Sequence, residues 1–180
     1  MKRLSVMRLR DSRNIRVACL TGLFAFLILL ITGCAATGPS YTDIKSTIPS
    51  LESGKSRLYF LRENAFMLSA VAARVQVNGV KVADIYSGGF VYLDRSAGEA
   101  FIMVDASLHP GEWRGKFTLE GGKEYFFLVT PNSNKVMAGV FLGLIGSSMT
   151  EGGPFYVYSI PEEMARKQLK TMKLSRASSP

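Results

Sequence analysis

The sequence comprises 180 residues with a formal net charge of +8, and it contains only two cysteines. Most of the excess charge lies in the first 33 residues, which hold six basic residues and one acidic residue, so residues 34–180 carry only +3. This modest charge argues against nucleic acid as a partner. The remaining 147 residues suit one compact domain that is large enough to bury a core.

The amino terminus has the parts of a secretory signal. A basic stretch precedes an apolar run from Val17 to Ile31; about 15 residues are too few for a bilayer-spanning helix, which needs roughly 20. The run ends in Thr32-Gly33-Cys34, and this ending resembles the lipobox of bacterial lipoproteins. The resemblance implies cleavage between Gly33 and Cys34, a diacylglycerol on the Cys34 thiol and acylation of the new amino group. The alternatives are an ordinary signal with a chance cysteine and an uncleaved inner-membrane anchor.

Lipidation of Cys34 would determine where the protein works. Two or more acyl chains anchor a protein stably, whereas one chain holds it only marginally. Ala35 follows the cysteine where Asp would signal inner-membrane retention, so the resemblance implies an outer-membrane lipoprotein, which we expect to face the periplasm. With Cys19 in the leader, no thiol remains for a disulfide or a nucleophile. The only cofactor-like group that we expect is the covalent lipid.

Composition divides the chain into five regions. Residues 34–55 are rich in Ala, Thr, Gly, Ser and Pro without sustained apolar periodicity, which is typical of a flexible tether. The predicted regions are a cleaved signal peptide at 1–33, the lipidated cysteine and tether at 34–55, a β domain at 56–160, a C-terminal helix at 161–174 and a disordered tail at 175–180.

Short apolar or alternating runs separated by turn residues predict a mainly β domain. The run from Arg57 to Arg62 is nearly all apolar, so we expect both of its faces to be covered. Asn78-Gly79 lies between two alternating runs and predicts a type I′ hairpin. Hairpin-length connections at 87–89 and 96–99 follow, and residues 113–119 alternate between apolar and polar. The pattern predicts a small antiparallel β-sandwich or partly open barrel of about seven or eight strands with a C-terminal helix.

The carboxyl terminus is predicted to add a last strand and a helix. Phe155 to Tyr158 is an apolar run, and Ser159 and Glu162 have the spacing of a capping box around Pro161. The apolar stripe of the following helix consists of Ala165, Leu169 and Met172. We therefore expect this helix to pack on the sheet or on its rim.

Four segments carry a resemblance to a known family. They are Gly54-Lys55-Ser56-Arg57-Leu58-Tyr59-Phe60-Leu61-Arg62, Val75-Gln76-Val77-Asn78-Gly79, Gly89-Phe90-Val91-Tyr92-Leu93-Asp94 and Ala97-Gly98-Glu99. They resemble the small bacterial lipoproteins grouped as domain of unknown function 2846, over roughly Lys55 to Thr130. Members often have Pro-Pro-Gly-Glu where this chain has Ser96-Ala97-Gly98-Glu99. The resemblance implies a pattern of strands and turns, and no established activity.

Residues suited to catalysis are sparse. His109 is the single histidine and precedes Pro110-Gly111, which predicts a turn residue. No serine lies in a nucleophile elbow, and no spacing of acids and histidine is typical of a zinc helix. The acids that could supply the two carboxylates of a glycosidase are Asp84, Asp94, Glu99, Asp105 and Glu112. Solvated acids at strand ends are the simpler interpretation, so we predict no catalytic or metal-binding residue.

The stretch from Val136 to Ile145 is apolar, and Gly139, Gly143 and Gly146 interrupt or follow it. At about ten residues it is too short to span a bilayer. One interpretation is a glycine-rich hairpin or a buried connection. The other is an exposed patch that dips into the membrane interface or contacts a partner; its residues would be Val140, Phe141, Leu142, Leu144 and Ile145.

These features favour a non-enzymatic envelope lipoprotein whose β domain is an interaction or structural module. Its candidate partners are an envelope protein, a glycan or a lipid, besides the membrane itself. Two alternatives stay open at the level of sequence. One is an envelope enzyme that acts on glycan or lipid through paired carboxylates, and the other is an accessory subunit of an envelope complex.

Overall fold

The structure is a computed structural model that describes residues 36–65, 68–107, 109–132 and 153–175. All of them belong to the second of two units into which the chain divides, Cys34–Pro180. The strands are β1 Lys55–Arg62, β2 Ala73–Val77, β3 Val80–Ile85, β4 Gly89–Ser96, β5 Gly98–Ala106, β6 His109–Leu119, β7 Glu124–Pro131, β8 Phe155–Ser159 and β9 Lys173–Leu174, and the helices are α1 Tyr41–Ile44 and α2 Glu162–Leu169.

The strands form two sheets that face each other across a hydrophobic core. The first sheet has five strands in the order β8-β7-β1-β4-β9, and the second has four in the order β3-β2-β5-β6. All pairs are antiparallel except β1 with β7 and β4 with β9. The predicted mainly β fold with a C-terminal helix is confirmed as two sheets that do not close into a barrel. The described residues contain nine strands, one more than the upper expectation.

Strand β1 is the centre of the five-stranded sheet, and both of its faces are buried as predicted. Leu58 and Phe60 point into the core between the sheets, whereas Tyr59 and Leu61 belong to a second cluster on the outer face. The run of buried residues extends without a break from Ser56 to Arg62. Because neighbouring strands satisfy its backbone on both edges, β1 can be buried completely.

The predicted hairpin between β2 and β3 is confirmed. Asn78 has φ 53° and Gly79 has φ 76°, the positive values that a type I′ turn requires. The Asn78 N–H donates to the carbonyl oxygen of Phe101, and its Oδ1 accepts from the Phe101 N–H, each at 2.8 Å. The turn is thereby fixed to the neighbouring strand β5.

The other two predicted hairpins are wrong. The connections after Ile85 and after Ser96 do not join partners within one sheet, because β4 belongs to the five-stranded sheet while β3 and β5 belong to the other. Strand β4 instead pairs with β1, with Leu58 opposite Leu93. Short turns of this kind specify that the chain reverses, but they do not specify which strand becomes the neighbour.

The prediction of a flexible tether over 34–55 is wrong for the described part that precedes β1. Ala36 donates its N–H to Ser87 O at 3.2 Å, Tyr41 donates to Met172 O at 3.0 Å, and Leu174 donates to Pro39 O at 2.8 Å. Helix α1 is a single turn with a complete capping box, and Tyr41 and Ile44 pack against the outer face of the five-stranded sheet. The amino-terminal segment is therefore part of the domain.

The carboxyl-terminal helix packs on the sheet as predicted, with Ala165, Leu169 and Met172 all buried. Its boundaries differ from the prediction, because Pro161 is the N-cap and no side chain caps the helix, so the proposed capping box is absent. The helix ends at Leu169, and the chain then extends into β9 beside β4. Ser175, placed in the predicted tail, is buried. Within the described residues, no helix has the length and apolarity to cross a membrane.

The Arg62 side chain is buried at the end of β1 and joins several elements. Its guanidinium donates to the carbonyl oxygens of Val71, Leu68 and Ile85, with Ile85 at 2.8 Å. The same group lies 4.7 Å from the centroid of the Phe155 ring. A buried carbonyl without a donor costs about 1–3 kcal/mol. Arg62 therefore stabilises the loop after β1, the end of β3 and the start of β8 together.

We expect Arg62→Met to lower the free energy of unfolding by about 3 kcal/mol, because the methionine fills space but leaves several buried carbonyls without a donor. Urea denaturation followed by circular dichroism measures the change. The matched control is Arg114→Met, whose parent side chain is 63% exposed and whose loss should cost less than about 0.5 kcal/mol. Equal denaturation midpoints for the two variants would contradict the role of Arg62.

Gly38 tests whether the amino-terminal segment is docked. A Cβ at this position would overlap the carbonyl oxygen of Leu174, whereas a Cβ at Gly54 meets no atom within 4 Å. We expect Gly38→Ala to destabilise the domain by about 1–3 kcal/mol and Gly54→Ala to change its stability by less than about 0.5 kcal/mol. Thermal unfolding of both variants checks this. If Gly38→Ala melts like the parent, the docked segment contributes no stability.

Candidate functional site

The outer face of the five-stranded sheet carries a layer of aromatic side chains. The rings of Tyr59 and Phe126 stack with centroids 5.0 Å apart and an interplanar angle of 11°. Tyr92 extends the layer, 5.9 Å from Tyr59. These residues share a face because Tyr59 lies opposite Tyr92 on β4 and Phe126 on β7. The layer forms the floor of the candidate site.

Arg166 on α2 holds the helix over this floor. Its guanidinium carbon lies 5.3 Å from the centroid of Tyr59 and 4.9 Å from that of Phe126, which is cation–π geometry. It also donates to Tyr41 Oη at 2.8 Å and pairs with Glu124. Burial alone lowers the pKa of Arg166, but its hydrogen bond with Tyr59 and the charge of Glu124 raise it above the ordinary value. Arg166 is thus a fixed positive charge.

Arg57 provides a second fixed positive charge on β1. Its Nε and Nη2 donate to the two carboxylate oxygens of Asp94 at 2.7 and 2.8 Å, and its guanidinium lies 5.5 Å from the Tyr92 ring centroid. The hydrogen bond with Asp94 raises the pKa of Arg57 above its ordinary value. A bidentate pair of this kind has a defined geometry as well as a charge. It therefore positions Arg57 at the edge of the aromatic floor.

A groove of about 460 Å³ opens between α1, α2 and the strands beneath them. We call it the Tyr59 groove; the residues that line it and matter here are Tyr41, Lys45, Arg57, Tyr59, Glu124 and Arg166. Three of these six are basic and one is acidic. Lys45 is exposed and forms no ion pair with any described residue. Burial raises the pKa of Tyr59, so its hydroxyl stays protonated as a hydrogen-bond donor.

The groove combines positive charge, hydroxyl groups and an aromatic floor. Exposed Lys45 and partly exposed Arg166 can attract an acidic group, whereas Arg57 and the rings of Tyr59 and Phe126 are buried and support the groove from beneath. Both guanidinium groups are held by carboxylates, Arg57 by Asp94 and Arg166 by Glu124. A group held in this way orients a ligand without needing to reorganise when the ligand arrives.

The five acids that sequence analysis considered for glycosidase chemistry are each paired with a base. The pairs are Asp84 with Lys81 at 2.6 Å, Asp94 with Arg57 at 2.7 Å, Glu99 with Lys116 at 2.5 Å, Asp105 with Arg74 at 2.7 Å, and Glu112 with Arg114. Asp94 lies on the five-stranded sheet, whereas the other four lie on the four-stranded sheet. Over the described ranges, no group of three or more His, Cys, Asp and Glu side chains could hold a metal ion.

His109 is the first residue of β6 and pairs with Ala106, so its prediction as a turn residue is wrong. Its Nδ1 lies 3.1 Å from the carbonyl oxygen of Ser107. The alternating pattern indicated a strand from residue 113, but β6 already begins at His109 and includes Pro110 and Gly111. His109 is thereby positioned by the backbone at a strand end.

A second surface lies on the outer face of the four-stranded sheet, which no described helix covers. Phe101 is 54% exposed there, and Lys116 Nζ lies 5.4 Å from its ring centroid. The depression around them measures about 400 Å³ and also includes Met103 and Arg114. Phe101 is the exposed large apolar side chain of this depression. Because a single exposed apolar residue is ordinary on a protein surface, the depression is a weaker candidate than the Tyr59 groove.

The predicted lipidation and membrane-contact residues lie outside the described residues. This applies to the cleavage site at Gly33 and Cys34, and to the patch residues Val140, Phe141, Leu142, Leu144 and Ile145. Those assignments stay predictions. The described residues that bracket 133–152 are Asn132 and Gly153; Asn132 Nδ2 donates to Gly153 O at 2.6 Å, so the base of that connection is closed by a hydrogen bond.

A family described as "Protein of unknown function (DUF2846)" matches residues 52–140 of the chain. The chain belongs to this family. The DUF2846 match includes all of β1 to β7 and leaves out α1, β8, α2 and β9. A search of curated proteins found no match. The Tyr59 groove combines residues from inside and outside the match. Arg57, Tyr59 and Glu124 lie within the DUF2846 match, and Lys45 and Arg166 lie in the segments that flank it.

Sequence analysis did not single out the residues of the groove. One available signal was the pair of arginines, Arg57 and Arg62, at the two ends of an otherwise apolar buried run, because a buried charge requires a partner. Another was Glu162 with Arg166 four residues later, a spacing that favours an ion pair on a helix and that the structure contains at 3.2 Å. Neither signal identifies Glu124 or Tyr41, because those contacts join residues far apart in the chain.

Proposed function

We propose that this protein is a lipoprotein of the cell envelope, anchored through lipid on Cys34 to the outer membrane and facing the periplasm. Its β-sandwich is a non-enzymatic interaction module, and the Tyr59 groove is its binding site. The anchor is supported by the basic leader, the short apolar run and Gly33-Cys34 at its end. The binding role is supported chiefly by one observation, a preformed groove in which two guanidinium groups are already oriented by carboxylates.

The pairing of acids with bases supports binding over glycoside chemistry. A glycosidase needs two carboxylates that face the same bond, about 5 to 10 Å apart. Here each of the five candidate acids is paired with its own Lys or Arg. Three of these pairs, Arg57–Asp94, Arg74–Asp105 and Lys116–Glu99, join neighbouring strands. Recognition is the role that the described side chains favour.

The groove favours a partner that carries an acidic group. Lys45 offers a charge that no described acid neutralises, and it lies beside the fixed charges of Arg57 and Arg166. An acidic segment of an envelope protein, an acidic glycan and an acidic lipid headgroup all have the required chemistry. Electrostatic recognition of this kind increases the rate of association and weakens as salt is raised.

Replacement of Cys34 tests the anchor. We expect Cys34→Ala to abolish incorporation of labelled palmitate and to shift the protein out of the membrane fraction, because the thiol that carries the lipid is gone. The matched control is Cys19→Ala, which removes the other cysteine of the chain and should leave labelling unchanged. Palmitate labelling that persists in Cys34→Ala would refute the anchor.

Site-specific crosslinking in intact cells tests the groove. A photoreactive residue at Ser46, which lines the groove, should capture a specific protein, glycan or lipid, whereas the same residue at exposed Thr118 on the other sheet should not. Lys45→Glu should reduce capture at Ser46 several-fold by reversing a charge, while Lys81→Glu, away from the groove, should leave it unchanged. Capture that is equal at both positions, or unaffected by Lys45→Glu, would contradict the proposal.

A further inference from the structure

Both described ends of the domain meet at one end of the five-stranded sheet. Ala36 donates its N–H to Ser87 O at 3.2 Å, and Ser175 donates its N–H to Phe90 O at 2.8 Å while its Oγ accepts from the Tyr86 N–H at 3.2 Å. Gly89 lies between them, and a Cβ there would come within 2.9 Å of Ala36 Cβ. The position of Ala36 is therefore fixed by close packing as well as by a hydrogen bond.

The two ends of the sandwich can be assigned from the strand registers. We call the end that holds Arg62, Tyr86 to Gly89 and Lys173 the Ser87 end, since Leu61 pairs with Phe90 and Gly89 pairs with Lys173 there. The opposite end, which we call the Asn78 end, holds the turns at 78–79, at Ala97 and at 121–122. With 3.3 Å per residue, the eight residues of β1 separate the two ends by about 25 Å.

The connection between β7 and β8 also leaves and returns at the Ser87 end. Val129 pairs with Arg62 at the end of β1, and Pro131 pairs with Phe155. Asn132 and Gly153 follow directly. The chain that precedes Ala36 and the chain that lies between β7 and β8 thus emerge on the same side of the domain.

Only one residue separates Cys34 from Ala36. Because consecutive Cα atoms are 3.8 Å apart, the Cα of Cys34 lies within about 8 Å of the Cα of Ala36. A lipid on that cysteine would have to enter a bilayer next to the Ser87 end. The chain from Ala36 to Ile48 cannot act as a spacer, because α1 and the hydrogen bonds around it attach this segment to the domain.

We propose that the domain sits directly on the bilayer with its Ser87 end against the lipid headgroups and its Asn78 end turned away from them. This inference rests on the proposed anchor at Cys34. The exposed residues Asn64 and Lys173 lie at the Ser87 end, and neither an amide nor a cation is repelled by anionic headgroups. The lipid surface is therefore an interaction partner of this end of the sandwich as well as the place of the anchor.

Fluorescence quenching by headgroup-labelled lipid tests this orientation. Single cysteines replace Asn64 or Lys173 at the Ser87 end, and Ala97 or Ser53 at the Asn78 end; each carries an environment-sensitive dye. The full lipidated protein is reconstituted into vesicles of phosphatidylethanolamine and phosphatidylglycerol with a spin label on the headgroup. We expect quenching at Asn64→Cys and Lys173→Cys to exceed that at Ala97→Cys and Ser53→Cys several-fold. Equal quenching, or stronger quenching at the Asn78 end, would overturn the orientation.

The mass of the same preparation separates the two proposals. If Cys34 carries lipid and quenching is equal at both ends, the anchor stands and the orientation is wrong. If Cys34 carries no lipid, the anchor is wrong and the orientation falls with it. Circular dichroism of each labelled variant excludes unfolding as a cause of altered quenching, and the second position at each end replaces a variant that fails to fold.

A spacer tests whether the short connection imposes the orientation. We insert 15 Gly and Ser residues between Ala35 and Ala36, which adds a flexible chain with an average span of about 20 Å. We expect the difference in quenching between the two ends to shrink at least two-fold, because the domain can then tumble above the bilayer. If the difference persists unchanged, the short connection to Cys34 does not determine the orientation, and the proposal fails.

Discussion

The buried guanidinium of Arg62 is the contact on which the Ser87 end depends. The end of β3 and the loop after β1 turn carbonyl groups toward the Arg62 side chain, and carbonyl groups that are shielded from water must find a donor. A guanidinium has five N–H groups in a rigid fork, so one side chain can serve carbonyls that point from different elements. Arg62 does this for Val71, Leu68 and Ile85. Because Ile85 leads directly into the turn that receives Ala36, the docking of the amino terminus depends on the same charge.

The two sheets differ in what covers their outer faces, and this explains their different sequence patterns. The outer face of the five-stranded sheet is apolar and is covered by α1 and α2, so β1 is buried on both sides. The outer face of the four-stranded sheet is exposed to solvent, and β6 alternates between buried residues such as Trp113 and exposed residues such as Arg114. The covering helices lie outside the DUF2846 match. The groove thus arises where the family's strands meet flanking segments, and Arg166 is the residue that connects them.

Local features of the fold could be predicted from sequence, whereas non-local ones could not. Asn78-Gly79 specifies its turn through backbone sterics alone. The alternation along β6 arises because one face of that strand packs on the core and the other is exposed to solvent. The pairing of β4 with β1 joins residues far apart in the chain and leaves no local pattern, so the sequence predicts hairpins at the two connections that cross between the sheets. The sequence predicts a flexible tether over 34–55 because this region is rich in Ala, Thr, Gly, Ser and Pro and lacks apolar periodicity. Small residues are what a close backbone approach needs, however, and Gly38 lies directly against Leu174. The arginines of β1 indicated buried partners, but Asp94 becomes the partner of Arg57 only through strand register.

Docking of the amino-terminal segment limits what the Tyr59 groove can meet. A lipoprotein with a free tether of 20 residues could sample partners over a few tens of ångströms. Under the proposed anchor, the folded domain instead begins within about 8 Å of Cys34. Arg57 lies five residues from Arg62 along β1, so the groove stands only about 16 Å from the Ser87 end. Under the proposed anchor, a partner would therefore have to come close to the membrane surface to be bound. This requirement favours an acidic segment of another membrane-attached protein, or an acidic glycan close to the bilayer, over a ligand held deep in the periplasm.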